Sequence, residues 1–181
     1  ISAAIPDGAV IKLVDSSVSF ADADGHWASD AISFVSAREL FSGTGTDAFA
    51  PEQPMTRAML MTVITRLDGM DTEGGAVWYE KGMAWALANG ISDGTEPDGR
   101  IVREQLITML HRYAGSPAAA QGELRFSDAD AVSGYALEAM AWAVEAGILL
   151  GFGDGGLAPG GEVTRAQAAA ILTRYINIMG G

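Results

Sequence analysis

One unit is written three times along this chain, and that repetition limits the fold more than any other feature. Ile32 to Gly43, Met83 to Gly94 and Met140 to Gly151 are each 11 residues apart. From those glycines to Arg57, Arg103 and Arg165 the spacing is 14, 9 and 14 residues. A second arginine follows nine residues later in every copy, as Arg66, Arg112 and Arg174. Copies one and three also share Phe20-Ala21-Asp22 with Phe126-Ser127-Asp128, Phe49-Ala50-Pro51 with Leu157-Ala158-Pro159, and Thr56-Arg57 with Thr164-Arg165. The middle copy is short of five loop residues and lacks the Phe-x-Pro turn. A unit this small cannot bury an apolar face alone, so the copies must pack on one another.

Each copy reads as two helices. Ala31, Ile32, Val35 and Leu40 have roughly helical spacing, as do Met83, Ala84, Leu87 and Ile91, and Met140, Ala141, Val144 and Ile148. Gly90 and Gly147, each followed by isoleucine, are expected as left-handed helix-ending caps, with Glu39 in that place in copy one. Asp22 and Asp128 are expected to cap the chain where it enters helix. In the second helix, positions +3, +6, +7 and +10 from the arginine are apolar: Leu60, Val63, Ile64, Leu67; Leu106, Met109, Leu110, Tyr113; Ala168, Ile171, Leu172, Tyr175. That is one stripe on a three-turn helix too short to hold alone in water. Three equal faces are expected to close on one another as a central bundle. Strand-like alternation is scarce, so the fold class is all-α. The exception is Ala9 to Val14, which suits a short strand within a lead-in, residues 1–19, that fits no copy.

The chain has 181 residues, enough for one domain or a compact array. No apolar run reaches the roughly 18 residues of a membrane span. Ile1 to Pro6 has neither a basic segment nor a long apolar region, so it is not expected to be a signal peptide. Without cysteine there are no disulfides or thiolate metal sites. A net charge of −12 argues against nucleic acid or an anionic membrane as partner. It also makes the arginines conspicuous, since six of nine fall in the repeated frame. Arg66, Arg112 and Arg174 suit the negative end of a helix dipole. Arg57, Arg103 and Arg165 do not suit the positive end, where anions bind. They are therefore candidate contacts for an anionic partner, since a guanidinium can hold a carboxylate in a bidentate fork. The competing role is a salt bridge to an adjoining copy.

Gly43, Gly94 and Gly151 are expected first as turn residues with positive φ, and second as places where a ligand approaches the backbone. Trp27 and Trp78 open copies one and two and are candidates to stack on a ligand, whereas Trp85 and Trp142 sit at matching helix positions and are expected to be buried. Gly151 to Gly156 has the spacing of a dinucleotide fingerprint but follows a helix rather than a strand, which excludes that use. Asp22-Ala23-Asp24-Gly25 lacks the further oxygen ligands of a calcium loop. His26 and His111 occupy unrelated repeat positions, and no catalytic or metal-binding constellation emerges. Neither cofactor nor metal is expected, and the chain does not read as an enzyme.

Phe20-x-Asp22, His26-Trp27-Ala28, the mid-repeat glycine, Phe49-x-Pro51 and Thr56-Arg57-Ala58 together resemble the S-layer homology module. Trp78-Tyr79-x-x-x-Met83-Ala84-Trp85-Ala86-x-x-Asn89-Gly90-Ile91 resembles a variant of it. The resemblance implies three modules, at 20–67, 76–113 and 126–175, in a pseudo-threefold, three-pronged helical spindle around a central three-helix bundle. It implies a non-covalent anchor on the cell wall or S-layer of a bacterium. The anchor would bind secondary cell-wall polysaccharide, often with pyruvyl ketals on N-acetylmannosamine, in grooves between the prongs. The family's Thr-Arg-Ala-Glu motif is altered in each copy: Thr56-Arg57-Ala58-Met59, Val102-Arg103-Glu104-Gln105 and Thr164-Arg165-Ala166-Gln167. The middle copy, without capping hydroxyl or long loop, is expected to be the weakest site. A self-associating or protein-binding scaffold with decayed sugar sites is the alternative function.

Overall fold

The computed structural model describes residues 18–45, 47–120 and 124–180. The strand expected at 9–14, and all but the end of the lead-in, lie outside the described residues. Those residues form six α-helices: α1 (Ser29–Ser36), α2 (Arg57–Leu67), α3 (Glu80–Ala88), α4 (Arg103–Tyr113), α5 (Leu137–Glu145) and α6 (Arg165–Met179). The extended segments among them form only isolated bridges.

The short first helices end as their sequences direct. Gly90 and Gly147 take φ of 67° and 74°, and Glu39 takes 58° in the equivalent place. Behind each cap the next apolar N–H reaches back five residues: Leu40 to Val35 O, Ile91 to Ala86 O and Ile148 to Ala143 O. That is the hydrogen-bond pattern that closes a helix with a left-handed residue. At the second helices, Thr56 and Thr164 accept from the N–H groups of Met59 and Gln167. Val102 offers no acceptor, but Gln105 Oε1 still receives the Val102 N–H.

Packing follows a ring. α3 lies on α2, α5 on α4, and α1 on α6, so each second helix carries the first helix of the next copy and the last element closes on the first. The residue before each capping position joins a backbone triangle. Met55 N–H donates to Val163 O (2.8 Å), Val163 N–H to Ile101 O (3.0 Å) and Ile101 N–H to Met55 O (2.9 Å). All three side chains are fully buried. The second helices also meet at their far ends, where the Tyr113 and Tyr175 rings lie 6.1 Å apart and the Tyr113 hydroxyl bonds Asp68, the residue that ends α2. Ile64, Leu110 and Leu172 of the stripe are fully buried between these ends. Much of the stripe, however, is covered by the neighbouring first helices rather than by the other second helices.

Several local expectations are corrected. Asp22 and Asp128 cap no helix. Asp22 accepts the N–H groups of Phe49 and Ala50 (2.8 and 2.7 Å), and Asp128 those of Leu157 and Ala158 (2.8 and 2.7 Å). Each carboxylate thereby fixes a loop in which Ala50 or Ala158 is held at positive φ (57° and 49°). The middle copy keeps this turn as Thr95-Glu96-Pro97, with Glu96 at φ 47°. Its shorter loop brings Asp93 within reach to accept the Thr95 N–H (3.0 Å), replacing the distant aspartate. Gly94 has the expected positive φ of 71°, but Gly43 and Gly151 do not. They are glycines because a Cβ at Gly43 would stand 2.8 Å from the Phe20 ring, and one at Gly151 would collide with Phe126.

Candidate functional site

The N–H groups at the starts of the second helices are not free to bind an anion. Those of Arg57, Arg103 and Arg165 donate to Gly99 O, Gly161 O and Gln53 O, and those of Ala58, Glu104 and Ala166 to Pro97 O, Pro159 O and Pro51 O. The ring closure itself therefore consumes the donors that made these helix ends candidate anion sites.

The arginine side chains instead cross into the next copy. Arg165 Nε donates to Phe49 O (2.8 Å) and its Nη2 to Ser42 O (2.8 Å), with the guanidinium 4.4 Å above the Phe49 ring. Arg103 does the same to Leu157 O (2.7 Å) and Leu150 O (3.1 Å), beside Phe152. Both side chains are buried. Arg57 Nε donates to Thr95 O (2.9 Å), but its Nη2 also meets Asp93 at 2.7 Å. Among the described residues, the expected salt bridge to an adjoining copy thus exists for Arg57 alone of the three. Carbonyls accept from Nε and Nη2 of Arg103 and Arg165 without cancelling their charge. Burial, and then repulsion from Arg174, pulls Arg103 down to about 10, which leaves it a cation at neutral pH.

Each crossing arginine borders a groove, and the three grooves are equivalent in register. One, of about 240 Å³, brings together Arg165, Gly43, Arg66 and Trp78. The second, of about 400 Å³, brings together Arg103, Gly151, Arg174 and Trp27. The third, of about 320 Å³, holds Arg57, Asp93, Arg112 and Tyr135. Gly94 is not among the residues lining the third groove, though its N–H bonds Ser92, which is. Every groove therefore combines residues of all three copies: an arginine of one, the second helix of the next and an aromatic of the remaining one.

The second arginine of every groove, and the aromatic of the third, escaped the sequence reading. Arg66, Arg112 and Arg174 do more than suit a helix end. Each donates to the carbonyl of the first copy-specific apolar residue after the cap, Leu40, Ile91 or Ile148, and lines the groove. Tyr135 matches Trp27 and Trp78 in lying five residues before the helix anchor, a signal legible in the repeat register. The exposed aromatics Trp27, Trp78 and Tyr135 are 64, 54 and 57% accessible, while Trp142 is buried and Trp85 partly so. Among the described residues, none of Arg66, Arg103, Arg112, Arg165 and Arg174 pairs with a carboxylate. Two grooves are thus lined by arginines and no carboxylate on a protein of charge −12, with Asp22 and Asp128 behind Arg165 and Arg103 close enough to attract them. A surface of that kind can hold an anion beside a ring that stacks on an apolar face.

Among the described residues no cluster of His, Asp or Glu is placed to hold a metal ion, and no helix is long and apolar enough to cross a membrane. Residues 19–58 and 125–169 match the model of the S-layer homology domain. The chain is 29% identical over 174 residues to an amylopullulanase of Thermoanaerobacterium thermosulfurigenes, covering 84% of this chain and 9% of that protein. It is 28% identical to the exoglucanase XynX of Acetivibrio thermocellus, covering 92% of this chain and 17% of that protein. It is 25% identical to the S-layer protein sap of Bacillus anthracis, covering 96% of this chain and 23% of that protein. The chain therefore spans less than a quarter of each of these relatives, and S-layer homology sequence is matched in its first and third copies.

Proposed function

We propose that this chain is a non-covalent cell-wall anchor of three S-layer homology modules, 20–67, 76–113 and 126–175, arranged as a three-pronged spindle. Its ligand is an acidic secondary cell-wall polysaccharide bearing pyruvylated N-acetylmannosamine, bound in the grooves between modules. Matches to the S-layer homology domain and to S-layer proteins indicate a cell-wall or S-layer location in bacteria. The relatives named as enzymes align over a small share of their length, which supports a non-catalytic anchoring role here.

One observation carries the reading: guanidinium pairs without a carboxylate partner face an exposed tryptophan, at Arg103, Arg174 and Trp27 and again at Arg165, Arg66 and Trp78. An anionic sugar supplies both the missing charge and an apolar face. In the third groove Asp93 already occupies the Arg57 guanidinium. That groove is the weak one, and its weakness comes from Asp93 rather than from Arg103, which serves the strong groove of copy three. The test is co-sedimentation with isolated cell walls before and after removal of their non-peptidoglycan polysaccharide. The protein should pellet with intact walls and stay in solution with stripped ones. Equal binding to both, or to neither, rejects the polysaccharide and leaves the scaffold function.

A further inference from the structure

The three seams between first and second helices are not filled alike. In the α2–α3 seam, Gly82 brings the backbones so close that a Cβ there would stand 2.9 Å from Thr62 Cα. The Thr65 hydroxyl donates within that seam to Met61 O (2.8 Å) and lies 3.3 Å from Gly82 O. In the α4–α5 seam, the His111 ring lies 5.1 Å from that of Trp142, and its Nε2 is 2.9 Å from Pro117 O. Thr65, His111 and Thr173 occupy one register position, eight residues after the crossing arginine.

The α1–α6 seam departs from this pattern. Ala31 stands where Gly82 does, Ala170 where Thr62 does, and Phe34 where Trp142 does. Thr173 Oγ1 is buried without a hydrogen-bond partner among the described residues. Buried hydroxyls are seldom left that way. The seam holds an open cavity of about 420 Å³ lined by Trp27, Asp30, Phe34, Ala170, Thr173 and Arg174. Trp27, Ala170 and Arg174 also line the Arg103 groove, so the two spaces adjoin along a common wall.

We propose that this seam is a second sugar subsite, which takes the neutral unit next to the acidic sugar held in the Arg103 groove. The proposal rests on the polysaccharide reading above. A neutral sugar needs an apolar platform and partners for hydroxyls that both donate and accept. Trp27 and Phe34 supply rings, Asp30 accepts, and Arg174 donates at the boundary. The Thr173 hydroxyl does both once its rotamer turns toward the cavity.

The test is calorimetric titration of a Trp78→Ala background, which weakens the Arg165 groove. The probes are pyruvylated N-acetylmannosamine as its methyl glycoside, and the same sugar extended by one neutral neighbour. The disaccharide should bind about 10-fold more tightly. Asp30→Asn with Thr173→Val should bring it to the level of the monosaccharide and leave monosaccharide binding unchanged. Ala31→Leu, which fills the seam without touching a polar group, should do the same. Equal affinity for the two sugars, or a disaccharide advantage that survives both variants, overturns the subsite while leaving the anchor reading intact. Binding of neither sugar overturns both. Asp30 is exposed and the Thr173 hydroxyl is unpaired, so the double variant should melt within a few degrees of the parent.

Discussion

Arg103 and Arg165 have a structural task and, in the proposed anchor, a second one at the groove, and the two separate by atom. Nε and Nη2 hold the next copy's loop through backbone carbonyls, while the charge of the whole guanidinium remains available to the groove. Arg165→Lys keeps the charge but cannot reach Phe49 O and Ser42 O together, because ammonium lacks the planar fork. It should cost about 1–3 kcal/mol in a denaturant titration, the range for buried acceptors left unpaired. A cost below about 0.5 kcal/mol would mean the carbonyl bonds contribute nothing. Asp22 and Asp128 fix the same loops from the other side. Backbone N–H donors hold both carboxyls below the usual carboxylate value of 3.8. A group with a depressed folded pKa stabilises fully above its unfolded value, and that contribution is lost as pH falls through the folded one. Melting temperature should therefore drop as pH falls below about 4, and Asp128→Asn should flatten that drop while lowering stability at neutral pH. An unchanged acid limb would remove the clamp from the account.

Helices and loops differ in how far the sequence reveals them. The second helices were legible because stripe, leading arginine and caps agree, and Leu110 at the stripe's centre is fully buried. Leu110→Ala should cost about 2–5 kcal/mol; a loss under about 1 kcal/mol would take the stripe out of the core. The turn at Thr95-Glu96-Pro97 was not legible, because the bulky residue marking it elsewhere is replaced by a threonine held by Asp93. Nor was the need for glycine at 43 and 151, which comes from phenylalanines more than 20 residues away in sequence. Gly43→Ala should therefore destabilise by about 1–3 kcal/mol through overpacking, and pairing it with Phe20→Leu should recover part of the loss. Loss without recovery would point to the backbone instead. The aromatics of the grooves were visible as repeat positions, but their partners were not. A repeat read along the chain assigns each arginine to its own copy, whereas the ring assigns it to the next.

At the scale of the whole molecule, closure of α1 on α6 makes the three copies interdependent. An open array can unfold from its ends; here the triangle of Met55, Ile101 and Val163 breaks for all copies at once. Urea unfolding followed by tryptophan fluorescence and by circular dichroism should give coincident transitions, and separated ones would mean that the copies fold independently. The same closure builds each groove from three copies and sets arginine-lined grooves, two of them without a carboxylate, into an acidic protein. The most direct test of that arrangement uses the aromatics, because Trp27 and Trp78 are exposed and can be removed without unfolding the ring. Pyruvylated wall polysaccharide is titrated calorimetrically into wild type, Trp27→Ala/Trp78→Ala and Tyr135→Ala. Each tryptophan should contribute about 1–2 kcal/mol to its own groove through buried apolar area, so both grooves of the double variant should bind about 10-fold more weakly, while Tyr135→Ala stays within a few-fold of wild type. A double variant that binds as tightly as wild type, or a wild type that does not bind, contradicts the account.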